Sequence, residues 1–353
     1  MAAVRSPEKR ARLMLYAMYD GRVLSNAPQV RISMLADTLG RETRLIRADR
    51  GRWQRLATLP LVLWQLRRVD AVYVESSTAA AMPWDLLALA AARAAGRPVG
   101  IYFRDAYQLF RHLYPPGGFR QRLSDLAWRL SIGVLRGLAT VPFAPSTGLA
   151  VALRLRRAVL LPPGTDPGQP NLGAGHAPLV AYVGAATSPL GFDRLLAAME
   201  LVRRAMPQAR LVVVTPVAPA PPLPDWVDLR QATREQLPEV LSPAAVCVLP
   251  LPINAYTNLA RAVRLTDYLS WGKPIVATDT AESRALLEPA AAGLLVDDSP
   301  AGIATGLLQV LRDGALAERL AAAARGLALA PGSSWQDRAQ LIVERLLPTA
   351  SAA

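Results

Sequence analysis

The stretch AVCVLPLPINAYTNLARAVRLTDYLSWGKPIVATDTAESRALL, residues 245–287, decides the fold. It opens on an apolar run ending in proline, AVCVLPL, which has the length and character of a strand buried on both faces. A polar loop leads to a helical segment through LTDYLS, closed by Gly272 and Pro274, since glycine readily adopts the left-handed backbone that ends a helix. PIVATD then reads as a second buried strand. Strand, helix and strand in that order form a parallel unit with a helical crossover.

The unit repeats outward in both directions. Before it, strand candidates are ARLMLYAM (11–18), TRLIRA (43–48), DAVYVES (70–76), RPVGIYF (97–103), TVPFAPS (140–146) and RAVLLPP (157–163). Helical periodicity lies between them, as in QVRISMLADTLG and in PWDLLALAAARAAG, which Gly96 closes. The alternation stops at LPPGTDPGQPNLGAGHAP (161–178), where proline and glycine concentrate, and then restarts with LVAYVGAA, a helix through FDRLLAAMELVRRAMP and the strand ARLVVVTP. TREQLPEVLSP reads as a helix, AGIATGLLQVLRDGALAERLAAAARG as one long helix, and SWQDRAQLIVERLLPTA as a terminal amphipathic helix. The expected architecture is α/β, with two doubly wound Rossmann-like domains facing across a cleft. The expected boundaries are 1–165 and 179–334, a linker at 166–178, and a helix and tail at 335–353 that returns to the first domain.

Charge is uneven. Residues 1–165 hold 25 Lys+Arg against 10 Asp+Glu, a net +15, whereas residues 166–353 hold 15 against 17, a net −2. A basic front half steers toward anionic partners, of which a membrane surface or a phosphorylated substrate fits best. Nucleic acid is disfavoured because the charge comes without aromatic-basic motifs. Of the 40 cations 38 are arginine, so biased composition is the competing explanation.

Absences narrow the chemistry. Cys247 is the single cysteine and His112 and His176 the two histidines, which leaves no internal disulfide and argues against a histidine zinc site. No G-x-G-x-x-G follows the first strand, and neither G-x-x-x-x-G-K-[ST] nor G-x-S-x-G occurs. No Asp-x-Asp is present either, so a diphosphate would be held by arginine and backbone amides instead of a metal clamp. The N-terminus lacks a signal-peptide core and no apolar run reaches the ~20 residues of a membrane span, so the expected location is cytoplasmic, at most peripheral at the inner face of a membrane.

Residues 245–287 resemble the donor-binding segment of GT-B glycosyltransferases of the family-4 type, glycosyl transferases group 1. That family carries K-L-x-E-Y-L-A-x-G-K-P-V-V-A, and here Arg264 stands for the lysine and Asp267 for the glutamate. Tyr268, Leu269, Gly272, Lys273, Pro274 and Glu282 occupy matching positions. The resemblance implies a nucleotide diphosphate sugar, UDP- or GDP-linked, bound without a metal or other cofactor. Its donor-binding residues would be Gly184, Thr257, Asn258, Arg264 and Asp267, with Asp267 on the ribose. A helix beginning near Asn258 or Leu259 would add backbone amides for the diphosphate. Tyr268 and Leu269 are expected in the core and Lys273 exposed at the turn.

The front half resembles the same family's acceptor domain more loosely. Gly21, Ser25 and Asn26 in the loop after the first strand, and Glu75 and Arg104 at later strand ends, are acceptor-binding candidates, and Asp105 is the catalytic candidate. Ser25 or Asn26 could equally be an N-cap, and Arg104 with Asp105 a structural ion pair. LPPGTD resembles the family's L-P-N-G-V-D at the domain junction. The implied reaction is transfer, with retention, of a sugar to a saccharide or lipid-linked acceptor. Two departures stand beside it: Leu259 lies eight positions before Asp267, where many relatives have a second carboxylate, and the loop after Gly184 lacks their Arg and Lys. They leave open a weak or inactive protein of the same fold serving as a partner subunit.

Overall fold

The computed structural model describes residues 11–19, 27–114, 117–215 and 223–347. It divides into two compact units, residues 1–162 with 335–353, and residues 163–334. Each is built on a six-stranded sheet in which every pairing is parallel.

Unit 1 carries β1 (Arg12–Ala17), β2 (Arg44–Asp49), β3 (Ala71–Glu75), β4 (Val99–Tyr102), β5 (Val141–Ala144) and β6 (Val159–Leu160), ordered β2-β1-β3-β4-β5-β6. Its connections hold α1 (Ala27–Glu42), α2 (Arg52–Ala57), α3 (Leu59–Leu66), α4 (Pro83–Ala94), α5 (Phe119–Leu138) and α6 (Thr147–Ala152). Unit 2 carries β7 (Ala177–Val183), β8 (Arg210–Val214), β9 (Val227–Arg230), β10 (Ala244–Leu249), β11 (Ile275–Thr278) and β12 (Leu294–Val296), ordered β12-β11-β10-β7-β8-β9. Its helices are α7 (Phe192–Ala205), α8 (Leu237–Leu241), α9 (Val263–Ser270), α10 (Ala281–Leu287), α11 (Pro300–Arg312) and α12 (Gly314–Leu329). Both topologies are doubly wound. The chain leaves the first strand of unit 2 in one direction and returns to its other side, so β7 lies between β8 and β10, and ligands of such sheets gather at the carboxyl ends of those strands.

Hydrophobic patterning explains the layers. All six residues of β10 and all five of β3 are buried, as central parallel strands require. On α7, Phe192, Leu195, Ala198, Met199 and Val202 fall at helical spacing and pack with Tyr182, Leu211 and Val213 of the sheet. The terminal helix α13 (Trp335–Leu346) belongs to unit 1, where Trp335, Ala339, Ile342 and Leu346 join Ile32, Leu35 and Leu39 of α1. Leu346 reaches the sheet because position 100 is glycine: a Cβ there would lie 2.9 Å from both of its methyl carbons.

Two local readings are corrected. The long helix expected through 301–326 is two, because Asp313 ends α11 and caps α12 by accepting the Leu316 N–H at 2.9 Å. The helix expected at 233–243 shrinks to the five residues of α8, with Pro238 in its first turn. The proline-glycine stretch after residue 162 is tied to unit 2. Leu172 N–H donates to the Trp271 carbonyl at 2.8 Å, Gly175 N–H to Ala244 at 3.0 Å, and Asp166 N–H to the Ser270 hydroxyl at 2.8 Å.

Candidate functional site

In unit 2 the site is set by one buried hydroxyl. Tyr268, fully buried on α9, accepts the Val183 N–H at the end of β7 at 3.0 Å, and its oxygen lies 3.5 Å from the Val248 carbonyl of β10. The helix is thereby held at the strand-order reversal. It begins at Val263, not near Asn258 or Leu259 as the sequence suggested. Thr257–Leu259 is a single 3-10 turn stabilised by Asn254, whose side-chain oxygen accepts the N–H groups of Tyr256 and Thr257 at 2.9 and 3.0 Å. The Thr257 hydroxyl is buried and donates to the Pro252 carbonyl, and Asn258 accepts the Ala281 N–H of α10 at 2.9 Å. The Thr257 hydroxyl is thus engaged within its own loop and the Asn258 oxygen by the start of α10.

Arg264, in the first turn of α9, lies over Gly184. A Cβ at position 184 would sit 2.9 Å from the guanidinium carbon, a contact the flexible arginine could yield, but φ of +134° there is backbone that side chains rarely adopt, so the conformation itself calls for glycine. The guanidinium is also 5.1 Å from the Tyr182 ring centre. Its Nη1 is buried without a hydrogen-bond partner, and no carboxylate pairs with it among the described residues. An arginine so placed has a donor free for an anion.

Asp267, three residues on, is engaged by Arg234 at 2.8 Å, with the two side chains only 14% and 18% exposed. Burial raises the Asp267 carboxyl above its ordinary range, Asp166 adding to the rise and the Arg234 charge opposing it. Arg234 keeps Nε and Nη2 buried and unpartnered, so it has donors to spare. Sequence reasoning missed Arg234, because it precedes a short helix by an irregular turn and no spacing links it to a residue 33 positions later. Glu282 is held by Arg261 at 2.7 Å. Lys273 corrects an expectation of exposure: it is fully buried, donating to the carbonyls of Gly173, Ser242 and Ala244 at 3.0, 3.1 and 2.7 Å. Trp271 is buried too, with Nε1 donating to Gln169 at 3.1 Å. Burial pushes the Cys247 thiol up to about 12, the condition of an inert core residue.

In unit 1 the candidates divide. Gly21, Ser25 and Asn26 lie outside the described residues. Glu75 is fully buried, accepting from Arg31 Nε at 3.0 Å and the Tyr73 hydroxyl at 2.7 Å, while Arg31 stacks 3.7 Å from the Tyr102 ring centre. The acceptor-binding candidate at the β3 terminus is thus a buried carboxylate paired with its own neighbours, as a buried charge must be. Arg104 and Asp105 do form an ion pair, at 3.3 Å, at the carboxyl end of β4. Thr78 joins them, donating to Asp105 Oδ2 at 3.3 Å and accepting from Arg104, whose guanidinium lies 5.1 Å from the Tyr19 ring centre. Asp105 Oδ1 is buried and unpartnered. Among the described residues no three His, Cys, Asp or Glu side chains converge as a metal site would need.

Comparison with known proteins places this geometry. Residues 177–313, from β7 to the end of α11, match the family model described as glycosyl transferases group 1. No curated protein matches the sequence. Among solved structures the chain is similar to sucrose-phosphate synthase from Thermosynechococcus elongatus, at 17% identity over 95% of this chain and 98% of that one, with a TM-score of 0.67. It is similar to Anabaena HepE in complex with UDP, at 14% identity over 95% and 99%, TM-score 0.67. An α,α-trehalose-phosphate synthase (UDP-forming) from Burkholderia xenovorans, in complex with glucose-6-phosphate, aligns at 11% identity over 95% and 100%, TM-score 0.65. At these identities the likeness is one of fold, and the fold is GT-B.

Proposed function

We propose that this chain, whose second unit is a glycosyl transferases group 1 domain, transfers a sugar from a nucleotide diphosphate sugar to a saccharide or lipid-linked acceptor. The observation that carries the reading is Arg264: a guanidinium at the carboxyl end of β7, over a glycine, with no carboxylate of its own among the described residues. A diphosphate supplies the missing charge. Asp267 would accept from ribose hydroxyls with Arg234 orienting it. UDP is the first donor base to test, since HepE is known with UDP and with UDP-glucose.

In this reading unit 1 takes the acceptor, and Asp105 is the proposed catalytic residue, its unpartnered oxygen available to an acceptor hydroxyl and its other oxygen held by Arg104 and Thr78. Transfer is proposed to retain configuration without a metal, Arg264 stabilising the charge that develops on the departing diphosphate. The basic front half suits an anionic acceptor and a peripheral place at the cytoplasmic membrane face.

The test is calorimetric titration with UDP and GDP. One nucleotide should bind the parent chain, and Arg264→Gln should weaken it about 10- to 100-fold, the worth of one or two charge-assisted hydrogen bonds. A second reading, a weak or silent GT-B partner subunit, is favoured by the engagement of Thr257 with its own loop and of Asn258 with α10. Binding of neither nucleotide would select it.

A further inference from the structure

Helix α5 has two apolar faces. Trp128, Ile132 and Leu135 point inward and are buried. Phe119, Leu123, Leu126, Leu130 and Val134 point outward, Phe119 being 80% and Leu130 65% exposed. At about 100° per residue these five fall in one stripe about 80° wide and about 22 Å long. Arg122, Arg129 and Arg136, seven residues apart, line one edge of the stripe and Arg120 stands on the other. The helix's one carboxylate, Asp125, is turned inward and paired with Arg111 at 3.2 Å. α4 packs beside α5 and α3 beside α4, and these neighbours expose Leu87, Leu61 and Trp64, the last with Arg68 3.6 Å from a ring centre.

The last turns of α5 lead into a surface recess of about 710 Å³. Beside Gly137 it is lined by Arg136, Arg154, Arg156, Arg157 and Arg345, and by no carboxylate among the described residues. Arg154 and Arg157 have φ of +52°. Arg154 sits just past α6, where its N–H reaches the Val151 carbonyl and the Leu155 N–H the Ala150 carbonyl, a terminus at which glycine is the low-strain residue. Arginine in left-handed backbone is strained, and what it adds here is charge at the recess.

We propose that this face docks on an anionic phospholipid bilayer, the α5 ridge entering the headgroup boundary and the arginine recess taking a lipid phosphate. An arginine-edged apolar ridge is the pattern of an interfacial helix, and each arginine near such a surface adds about fivefold in affinity. Charge selects a bilayer over a second copy of the chain, because a two-fold contact through this face would set like charges against each other. The inference rests on the peripheral placement proposed above and is independent of the transfer chemistry.

The test is co-sedimentation of the full chain with vesicles of phosphatidylcholine, with and without phosphatidylglycerol, alongside UDP titration of the same preparations. Binding should require the anionic lipid and weaken with salt. Leu123→Gln with Leu130→Gln should lower partitioning at least ~10-fold. Arg156→Gln with Arg157→Asn, asparagine being tolerated in left-handed backbone, should lower it about fivefold per residue. UDP affinity should not change in either. Arg120→Gln with Arg122→Gln, at two exposed positions, is a second variant should the leucine pair lower the melting temperature. No binding to anionic vesicles, equal binding to neutral ones, or variants that bind like the parent overturns the proposal. So does a parent dimer that the leucine pair dissolves, which assigns the ridge to a second copy. Inorganic phosphate abolishing vesicle binding while the leucine pair has no effect reassigns the recess to a free anion. Loss of UDP binding with vesicle binding intact strikes the donor reading alone.

Discussion

Asp267 titrates against two neighbours at once, and the sign of its effect follows from which one dominates. Burial lifts its pKa above the ordinary 3.8 despite Arg234. A carboxyl whose folded pKa exceeds the unfolded one makes the native chain the stronger proton binder across that window. Stability from this group therefore falls as pH rises from 3.8 to the folded pKa and is flat above it. Asp267→Asn lacks that slope, so in urea unfolding the stability of the variant relative to the parent should rise with pH across the window and then level. If the ribose assignment holds, the same change should weaken nucleotide binding at neutral pH. Lys273→Met tests a different economy: it leaves the Gly173 and Ser242 carbonyls without this donor and should cost about 2–4 kcal/mol in thermal or urea melts. Burial lowers the Lys273 pKa, yet three converging carbonyls keep it a donor. Nothing beside Gly272 in the chain announces this, because the acceptors lie 100, 31 and 29 residues away.

Among elements, α9 shows what local signals can carry. Gly272 was readable as its end, and the structure closes the helix there with Gly272 N–H to Leu269 and Lys273 N–H to Tyr268, φ at Gly272 being +59°. The beginning was not readable. LARAVRL has continuous helical propensity, yet Thr257 and Asn258 are held by other partners, Asn254 holds the turn they belong to, and the helix starts at Val263. The placement of α9 depends on Tyr268, so Tyr268→Phe should leave the Val183 N–H unpaired in the core. The expected cost is about 1–3 kcal/mol, with weaker UDP binding because Arg264 shifts with its helix. Unchanged melting and unchanged UDP affinity in that variant would show that the hydroxyl does not position the site. α5 gives the converse lesson, since its inner and outer apolar rows occupy opposite sides of one helix and only a packed sheet identifies the outer one.

At the scale of the molecule, α13 is the last element among the described residues and part of the core of unit 1. Removing residues 335–353 exposes the positions against which Trp335, Ile342 and Leu346 pack, which should cost unit 1 about 5 kcal/mol or more. UDP binding, which the proposed function assigns to unit 2, should then survive; loss of both would show that the units do not unfold separately. The parallel α/β class, the GT-B likeness and the basic front half were legible in the sequence, because buried parallel strands are continuous apolar runs, helices carry their own period, and charge needs only counting. Gly184 and Arg264 were legible through a motif. Tertiary structure alone decided what those residues touch: Arg234 on Asp267, Arg31 on Glu75, Tyr268 on the end of β7, Lys273 on three distant carbonyls. The reason is physical. Propensity and periodicity act over a few residues, whereas a buried polar group takes whichever partner the strand order brings within about 3 Å, and strand order is a property of the folded chain.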